Sequence, residues 1–228
     1  MRWAVVQFPG SNCDQDCLYL LQEVLKQEAY YVWHKDSDLK NADGIVLPGG
    51  FSYGDYLRCG AIAKLSPVMK SVVQAANEGK IVVGICNGFQ VLCESGLLPG
   101  ALIRNKNLKF RCHQQLIRVE NTKTRFTSKY ESQAVLNLPI AHGEGSYFAD
   151  PSTLKSIAQN KQILFRYCSE EGSITDFSNP NGACENIAGI CNTKGNVLGL
   201  MPHPERAAES ALGCVDGLGI FQSIINGS

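Results

Sequence analysis

One cysteine of the chain lies in a pattern suited to nucleophilic chemistry. In "GKIVVGICNGFQVLCESG", residues 79–96, an apolar β-branched run precedes Cys86 and a helix-like segment follows it. Gly84 and Gly88 flank the thiol, as small residues do where a tight strand-to-helix turn exposes a nucleophile. The helix start favours a thiolate, and the amide N–H of Asn87 is placed to donate to an oxyanion. The pattern predicts a nucleophilic cysteine, although a structural cysteine in an ordinary turn also fits it.

A base for this cysteine is offered by the stretch "MPHPE". His203 and Glu205 stand two residues apart where a predicted strand ends, and such residues project to the same side of an extended chain. The carboxylate can then orient the imidazole and fix its tautomer. We therefore predict a triad of Cys86, His203 and Glu205. Without the cysteine, the His-x-Glu pair would not indicate a catalytic site.

A glycine-rich loop, "PGGFSYGD", spans residues 48–55. It lacks the G-x-x-x-x-G-K-[ST] pattern of a phosphate-binding loop, so we interpret it as a turn that completes an oxyanion hole. The predicted donors are the amides of Gly49, Gly50 and Phe51.

These sites require a scaffold that brings strand ends together. Short apolar runs alternate with segments of helical periodicity in the first part of the chain. The predicted strands are residues 2–8, 30–34, 44–50 and 80–85. The predicted helices are residues 13–28, 60–78 (with Pro67 as a break or a second start) and 88–95. This alternation predicts an α/β fold with a mostly parallel central sheet flanked by helices, whose ligands bind beyond the carboxyl ends of the strands.

The pattern changes after about residue 100. Residues 108–121 alternate between polar and apolar side chains, which is typical of antiparallel strands, and we expect a small antiparallel accessory layer there. Further strands are predicted at 162–168, 187–192 and within 196–205, and a closing helix at 212–226. No repeat or linker composition separates these parts, so the sequence predicts one domain over residues 1–228.

Composition excludes several classes of protein. The 228 residues include 21 Lys and Arg against 21 Asp and Glu, which is not the balance of a nucleic-acid-binding or membrane-surface protein. No apolar run approaches bilayer length and no signal-peptide pattern is evident, so we expect a cytoplasmic protein. The 10 cysteines include no C-x-x-C pair, so we expect neither a metal site nor a disulfide framework.

Three motifs together, "PGGFSYGD", "GICNGFQ" and "PHPE", resemble the class I (triad) glutamine amidotransferases. Further stretches are similar to the glutaminase subunits of phosphoribosylformylglycinamidine synthase: "FPGSNCDQD", "YLRCGAIA", "GLLPGAL", "AHGEGSYF", "NPNGA" and "GLMPHPER". The similarity covers nearly the whole chain. It implies a flavodoxin-like fold and hydrolysis of L-glutamine, in which the cysteine attacks the side-chain amide and forms a thioester.

The resemblance also implies residues outside the triad. By family analogy, Gln90 and the backbone around Gly143 and Glu144 hold the α-amino and α-carboxylate groups of glutamine. "AHGEG" is implied to lie near the active site, but we assign no catalytic role to His142.

The ammonia needs an acceptor, and no ATP-binding motif is evident in this chain. The resemblance implies that a larger, PurL-type synthase subunit carries ATP and Mg²⁺ and converts formylglycinamide ribonucleotide to the amidine in purine biosynthesis. It also implies a small third subunit of PurS type. No cofactor is expected in the chain itself. The candidates for docking, with a solvated face as the alternative, are Arg58, Arg104, Lys106, Lys109 and Arg111.

Three other functions fit parts of the pattern. A cysteine hydrolase acting alone, such as an intracellular peptidase-like protein, would keep the elbow cysteine, but "PHPE" after the last strand favours amidotransfer. A catalytically silent binding module need not keep all three residues of the triad. A nucleotide-binding domain would be expected to carry the phosphate-loop signature, which is missing here.

Overall fold

The computed structural model describes residues 1–227 and has a mixed α/β architecture. Its strands are β1 (Arg2–Gln7), β2 (Glu28–Trp33), β3 (Gly44–Leu47), β4 (Ile81–Ile85), β5 (Ala101–Ile103), β6 (Arg111–Val119), β7 (Val135–His142), β8 (Ser146–Phe148), β9 (Ile163–Tyr167), β10 (Ile187–Cys191) and β11 (Val197–Leu200). Its α-helices are α1 (Asp14–Tyr19), α2 (Pro67–Asn77), α3 (Asn87–Glu94), α4 (Pro151–Gln159) and α5 (Leu218–Asn226).

The chain falls into two compact units. The first unit contains residues 1–98 and 196–199, and the second contains residues 99–195 and those from Leu200 onward. The prediction of one domain over residues 1–228 stays a prediction. No helix within residues 1–227 has the length and apolar character needed to cross a membrane.

The first unit is built on a mostly parallel sheet with the strand order β2-β1-β3-β4-β11. Strand β1 pairs in parallel with β2 and with β3, and β3 pairs in parallel with β4. Every residue of β3 and β4 is buried, which explains why their sequences are continuously apolar. Helix α1 packs on β1, α2 on β4, and α3 on both β3 and β4. The predicted α/β class and the parallel sheet are confirmed.

The bounds of two helices in this unit can be compared with those predicted from the sequence periodicity. Helix α1 continues as a π-helical turn only as far as Val24, and the prediction to residue 28 was too long because Lys26 adopts a φ of +52° that no helix accommodates. Pro67 is the first residue of α2. Proline suits this position, because the first N–H of a helix has no intrahelical acceptor. The predicted second start at Pro67 is therefore confirmed.

The second unit is antiparallel. Its strands follow the order β10-β9-β6-β7, and each neighbouring pair in that order is antiparallel. The predicted antiparallel strand within residues 108–121 is confirmed as β6. It does not form a separate layer, because its backbone pairs with β9 on one side and with β7 on the other, within the same sheet. The small accessory sheet consists of β5 and β8 instead.

The closing helix also begins later than predicted. Helix α5 starts at Leu218 and not at residue 212, because Gly213 adopts a φ of +83° and ends a preceding 3-10 turn. A Cβ on Gly217 would lie 2.3 Å from the carbonyl oxygen of Pro204. The backbone of Pro204, which follows His203, is therefore packed closely against Gly217, the residue that precedes α5.

Candidate active site

The turn between β4 and α3 carries Cys86, as the sequence predicts. This residue immediately precedes the first residue of α3. Its φ of +51° and ψ of −104° form a combination that residues other than glycine rarely adopt. Its side chain is buried, with 5% of the residue exposed. Strain of this kind persists only where the surrounding structure imposes it, and it is concentrated at functional turns.

The two flanking glycines make this turn sterically feasible. A Cβ on Gly88 would lie 1.9 Å from the carbonyl oxygen of Leu47, the last residue of β3. A Cβ on Gly84 would lie 2.5 Å from a side-chain methyl of Leu92 and 2.7 Å from the backbone of Gly88. The glycines at i−2 and i+2 are therefore required by the close packing of α3 on β3 and β4.

The side chain of Asn87 connects the cysteine turn to the glycine-rich loop. Its Oδ1 accepts a hydrogen bond from the N–H of Ser52 at 3.2 Å. Its Nδ2 donates to Oδ1 of Asp55 at 3.3 Å and to Oε1 of Gln90 at 2.8 Å. Asn87 is 2% exposed, so these bonds satisfy an amide that water does not reach. The sequence assigned a role only to the backbone of Asn87, and no motif signalled this side-chain role.

The glycine-rich loop packs against the turn that follows β1. Gly50 has a φ of +138°, and a Cβ there would lie 2.9 Å from the carbonyl oxygen of Gly10. The N–H of Phe51 donates to the same carbonyl at 2.9 Å. That bond removes Phe51 from the predicted oxyanion donors, because its only amide proton is already engaged. Gly49 and Gly50 stay predictions.

The rest of this loop has an unfavourable backbone conformation. Tyr53, Asp55 and Leu57 all have φ values between +55° and +69°, and each costs about 1 kcal/mol. The hydroxyl of Tyr53 lies 2.6 Å from Nδ1 of His34 and 2.9 Å from Oγ of Ser66. Such contacts, and not local preference, hold the loop in place.

In the second unit, His203 and Glu205 form a buried pair, as their spacing predicts. Nδ1 of His203 lies 2.6 Å from Oε1 of Glu205, and the two residues are 1% and 3% exposed. The backbone N–H of His203 donates to the carbonyl of Pro139 in β7 at 2.8 Å. A carboxylate at this distance selects the tautomer with the proton on Nδ1 and orients the ring.

The "AHGEG" stretch, residues 141–145, is held by Asn105, which is fully buried. The N–H of Asn105 donates to the carbonyl of Gly143 at 2.9 Å. Its Nδ2 donates to the carbonyl of His142 at 2.9 Å, and its Oδ1 accepts from the N–H of Gly145 at 3.0 Å. Sequence reasoning missed Asn105, since its partners lie about 40 residues along the chain.

His142 is a neutral part of this stretch at pH 7. Burial lowers the pKa of its imidazole to about 4, and the charge of His203 acts in the same direction. Nε2 of His142 lies 3.5 Å from Nδ2 of Asn181. A Cβ on Gly145 would lie 2.3 Å from the ring, so the glycine is required by the position of the histidine.

The predicted docking cations lie in different environments. Arg58 makes two hydrogen bonds to the carboxylate of Glu94, one of them 2.7 Å from Nη2 to Oε2. Nε of Arg104 lies 3.6 Å from Oε1 of Glu144. Arg58 is therefore part of an internal ion pair and is a weaker candidate for docking than the cations after Ile103.

Comparison with known proteins extends over almost the whole chain. A family model of the CobB/CobQ-like glutamine amidotransferase domain matches residues 1–212. The chain is 57% identical over 226 residues to the phosphoribosylformylglycinamidine synthase subunit PurQ of Acaryochloris marina, a match that covers 99% of this chain and 96% of that protein. It is 58% identical over 221 residues to the protein of the same name from Synechocystis sp., covering 97% and 99%.

Solved structures agree with these sequence matches. A chain in the structure of PurLQS from Thermotoga maritima has a TM-score of 0.86 and 44% identity, covering 99% of this chain and 97% of that chain. A glutamine amidotransferase from Thermotoga maritima, at 16% identity and a TM-score of 0.58 over 91% of this chain and 77% of that chain, shares the fold. The chain therefore belongs to the CobB/CobQ-like glutamine amidotransferase family, among the PurQ subunits of phosphoribosylformylglycinamidine synthase.

Proposed function

We propose that this chain hydrolyses L-glutamine to glutamate and ammonia and supplies the ammonia to a larger, PurL-type synthase subunit. The observation that carries the proposal is the strained, glycine-flanked turn at Cys86 in a chain of an amidotransferase family. The buried pair of His203 and Glu205 supports it, because a nucleophilic cysteine needs an oriented base.

In the proposed reaction, Sγ of Cys86 attacks the side-chain amide carbon of glutamine, and the carbonyl electron pair moves onto oxygen. The N–H groups of Asn87 and Gly50 stabilise this oxyanion. As the first residue of α3, Asn87 has an N–H with no carbonyl of a preceding helical turn to accept it. Gly50 supplies the second donor from the glycine-rich loop.

His203 carries the protons in this scheme. Since Nδ1 is bonded to Glu205, proton exchange falls to Nε2. The ring takes the thiol proton and passes it to the leaving nitrogen, and the C–N bond breaks to release ammonia. Water then attacks the thioester, which releases glutamate and restores the thiol.

The ends of glutamine are assigned to residues outside the triad. Gln90, which accepts a hydrogen bond from Asn87, and the backbone around Gly143 and Glu144 are proposed to hold the α-amino and α-carboxylate groups. Backbone carbonyls can accept hydrogen bonds from an ammonium group, and backbone amides can donate to a carboxylate. The hydrogen bonds from Asn105 support this assignment, because they hold the backbone of residues 143–145 in one conformation.

The ATP-dependent step is assigned to the partner. The PurL-type subunit is proposed to bind ATP and Mg²⁺ and to convert formylglycinamide ribonucleotide to the amidine, and a PurS-type subunit is proposed as the third component. The similarity to a chain of the PurLQS structure from Thermotoga maritima supports such an assembly. We propose that the complex works in the cytoplasm, in purine biosynthesis.

The experiment measures glutamate release from glutamine by the chain alone and with its PurL-type subunit and nucleotides. Cys86→Ala should abolish glutamine use and leave ammonia-dependent synthesis by the complex intact. Cys112→Ala, which removes an exposed thiol, is the matched control and should match the wild type. Glutamate release by Cys86→Ala at the wild-type rate would overturn the assignment.

A further inference from the structure

The glycine-rich loop is held in a conformation that its residues do not prefer. Tyr53 has a φ of +56°, and this left-handed backbone is an outlier for a bulky side chain. Asp55, two residues on, has a φ of +55°. Strain of this kind persists only where contacts with other segments impose it, and it is concentrated at functional sites. The contacts made by Tyr53 are therefore candidates for positioning this loop.

The hydroxyl of Tyr53 connects the loop to two other elements of the first unit. It lies 2.6 Å from Nδ1 of His34, the residue that follows β2, and 2.9 Å from Oγ of Ser66, the residue that precedes α2. Both partners are buried. The rings of His34 and Tyr53 also meet edge to face, with their centroids 5.4 Å apart. One oxygen atom therefore joins the loop to the end of β2 and to the start of α2.

Ser66 does not use its side chain to cap the helix that it precedes. A serine in this position ordinarily accepts a hydrogen bond from an N–H of the first helical turn, which stabilises the helix by about 1 kcal/mol. The side chain of Ser66 makes no such bond, although Pro67 is the first residue of α2. Its hydroxyl contacts Tyr53 instead. The contact with the loop has therefore replaced the usual cap of the helix.

The three side chains form a hydrogen-bonded chain with one favoured direction. Burial lowers the pKa of His34, and the charge of Lys35 acts in the same direction, so the ring is neutral at pH 7. An unprotonated Nδ1 accepts from the hydroxyl of Tyr53, which in turn accepts from the hydroxyl of Ser66. The opposite direction would leave the Ser66 proton without an acceptor, since among residues 1–227 the hydroxyl of Ser66 bonds only to Tyr53.

Tyr53 lies close along the chain to the groups that serve the cysteine turn. Its own N–H donates to the carbonyl of Pro9 at 2.6 Å. The residue before it, Ser52, donates its N–H to Oδ1 of Asn87 at 3.2 Å. Gly50, the proposed oxyanion donor of this loop, is three residues before Tyr53. The direction of the Gly50 N–H therefore depends on where Tyr53 is anchored, because so short a piece of backbone transmits a displacement almost completely.

We propose that Tyr53 is a positioning residue for the oxyanion hole. Held between His34 and Ser66, its hydroxyl keeps the loop in place, so that the N–H of Gly50 stays directed at the developing oxyanion. The inference rests on the proposed function, because it takes Gly50 as an oxyanion donor. Tyr53 itself has no contact with glutamine in this scheme. Its effect is confined to the transition state, where a displaced donor stabilises the negative oxygen less well.

The first test removes one oxygen atom. Tyr53→Phe should lower kcat for glutamine hydrolysis with the PurL-type subunit about ten-fold, and it should change KM by less than about two-fold. Alkylation of Cys86 by iodoacetamide should keep the wild-type rate, because displacement of iodide forms no oxyanion. Tyr30→Phe is the matched control and should keep the wild-type kcat, since its hydroxyl bonds the carbonyls of Leu39 and Lys40 at 2.9 and 3.3 Å, away from this loop.

A second measurement separates the oxyanion hole from a general loosening of the loop. The aldehyde analogue of glutamine forms a tetrahedral adduct, in which Sγ of Cys86 is bonded to the former aldehyde carbon and the oxygen occupies the oxyanion position. Its affinity should fall about ten-fold in Tyr53→Phe. The affinity for glutamate, which forms no such adduct, should not change. Equal losses for the two ligands would overturn the proposal.

Ser66→Ala keeps the proposal testable if Tyr53→Phe does not fold. It should lower kcat about three-fold with KM unchanged, because the hydroxyl of Tyr53 then keeps one of its two partners. Where both variants fold, Ser66→Ala should cost almost nothing further in the Tyr53→Phe background, since it acts through that hydroxyl. A wild-type kcat in either single variant, or additive losses in the double variant, would overturn the proposal.

Failure of the proposed function gives a different result. That function is lost if the wild-type chain with its PurL-type subunit shows no Cys86-dependent glutamate release. The inference alone is lost if such release occurs and Tyr53→Phe leaves its rate unchanged.

Discussion

Nδ1 of His203 and Oε1 of Glu205 lie 2.6 Å apart in a pair from which water is almost completely excluded. A carboxylate in such surroundings acts strongly on its neighbour, because little solvent screens its charge. In the proposed reaction it stabilises the imidazolium formed when the ring accepts a proton, and it keeps the ring in one tautomer. The proposal therefore gives Glu205 an electrostatic role as well as a positional one.

We expect Glu205→Gln to lower kcat for glutamine hydrolysis by about 10²-fold, because the variant keeps the shape of the side chain and loses its charge. His203→Ala should lose more, since no proton acceptor then remains. Glutamate release in the presence of the synthase subunit measures both variants, and unchanged ammonia-dependent synthesis shows that the complex still forms. Equal losses in the two variants would mean that Glu205 has another task.

Gly88→Ala should destabilise the fold severely. Its Cβ would lie 1.9 Å from the carbonyl oxygen of Leu47, so α3 must move off β3, at a cost of about 3 kcal/mol or more in the free energy of unfolding. Gly195→Ala is the control, because a Cβ there meets open space and only its φ of +68° is unfavourable, which costs about 1 kcal/mol. Denaturant unfolding of both variants gives the comparison, and a loss at Gly88 no larger than at Gly195 would contradict the packing explanation.

Protonation of the buried His142 should make the free energy of unfolding depend on pH. Burial lowers the pKa of its imidazole to about 4 in the folded state, against about 6.5 in the unfolded chain. Between these values the unfolded state binds more protons, so the free energy of unfolding falls as pH decreases from about 6.5 to about 4, by about 3 kcal/mol from this group. At or above pH 7, where the imidazole is neutral in both states, titration of His142 does not change the free energy of unfolding.

The measurement is denaturant unfolding at about pH 4.5 and about pH 7. His142→Gln should show a smaller loss of stability on acidification than the wild type, because glutamine has no proton to bind in this range. His113→Gln, at an exposed position of β6, should keep most of the wild-type pH dependence, because the charge of His113 lowers the pKa of His142 much less than burial does. If both variants kept it, another buried group would be responsible.

Asn87→Ala should impair catalysis through the glycine-rich loop. The side chain of Asn87 bonds the amide of Ser52, the carboxylate of Asp55 and the amide oxygen of Gln90, and the loop itself has an unfavourable backbone conformation. Without these bonds the proposed donor at Gly50 is no longer held, so kcat for glutamine should fall about ten-fold or more.

The control for this variant is Asn226→Ala, which removes an exposed asparagine at the end of α5. Alkylation of Cys86 by a small uncharged electrophile should continue in Asn87→Ala, because the cysteine turn depends on its glycines. A wild-type kcat in folded Asn87→Ala would show that the loop keeps its conformation without this side chain.

The local sequence was enough to predict the secondary-structure pattern and the positions of the candidate catalytic residues within it. The alternation of apolar strands and helices predicted the parallel sheet, and the glycines around Cys86 predicted the strand-to-helix turn, although the contact that requires Gly88 is with Leu47 of β3 and not within the turn. The spacing of His203 and Glu205 predicted their contact, but the reason given for it was wrong, because Pro204–Arg206 form a 3-10 turn and not extended chain.

Tertiary structure alone decided which hydrogen-bonding groups are already engaged. The amide of Phe51 donates to Gly10 and leaves the set of oxyanion donors, and Asn105 bonds residues about 40 positions away. Strand β6 lies between β9 and β7, which pair with the backbone groups along its two edges. The partners of a buried polar group are set by the packing of distant segments, which no local periodicity or propensity encodes.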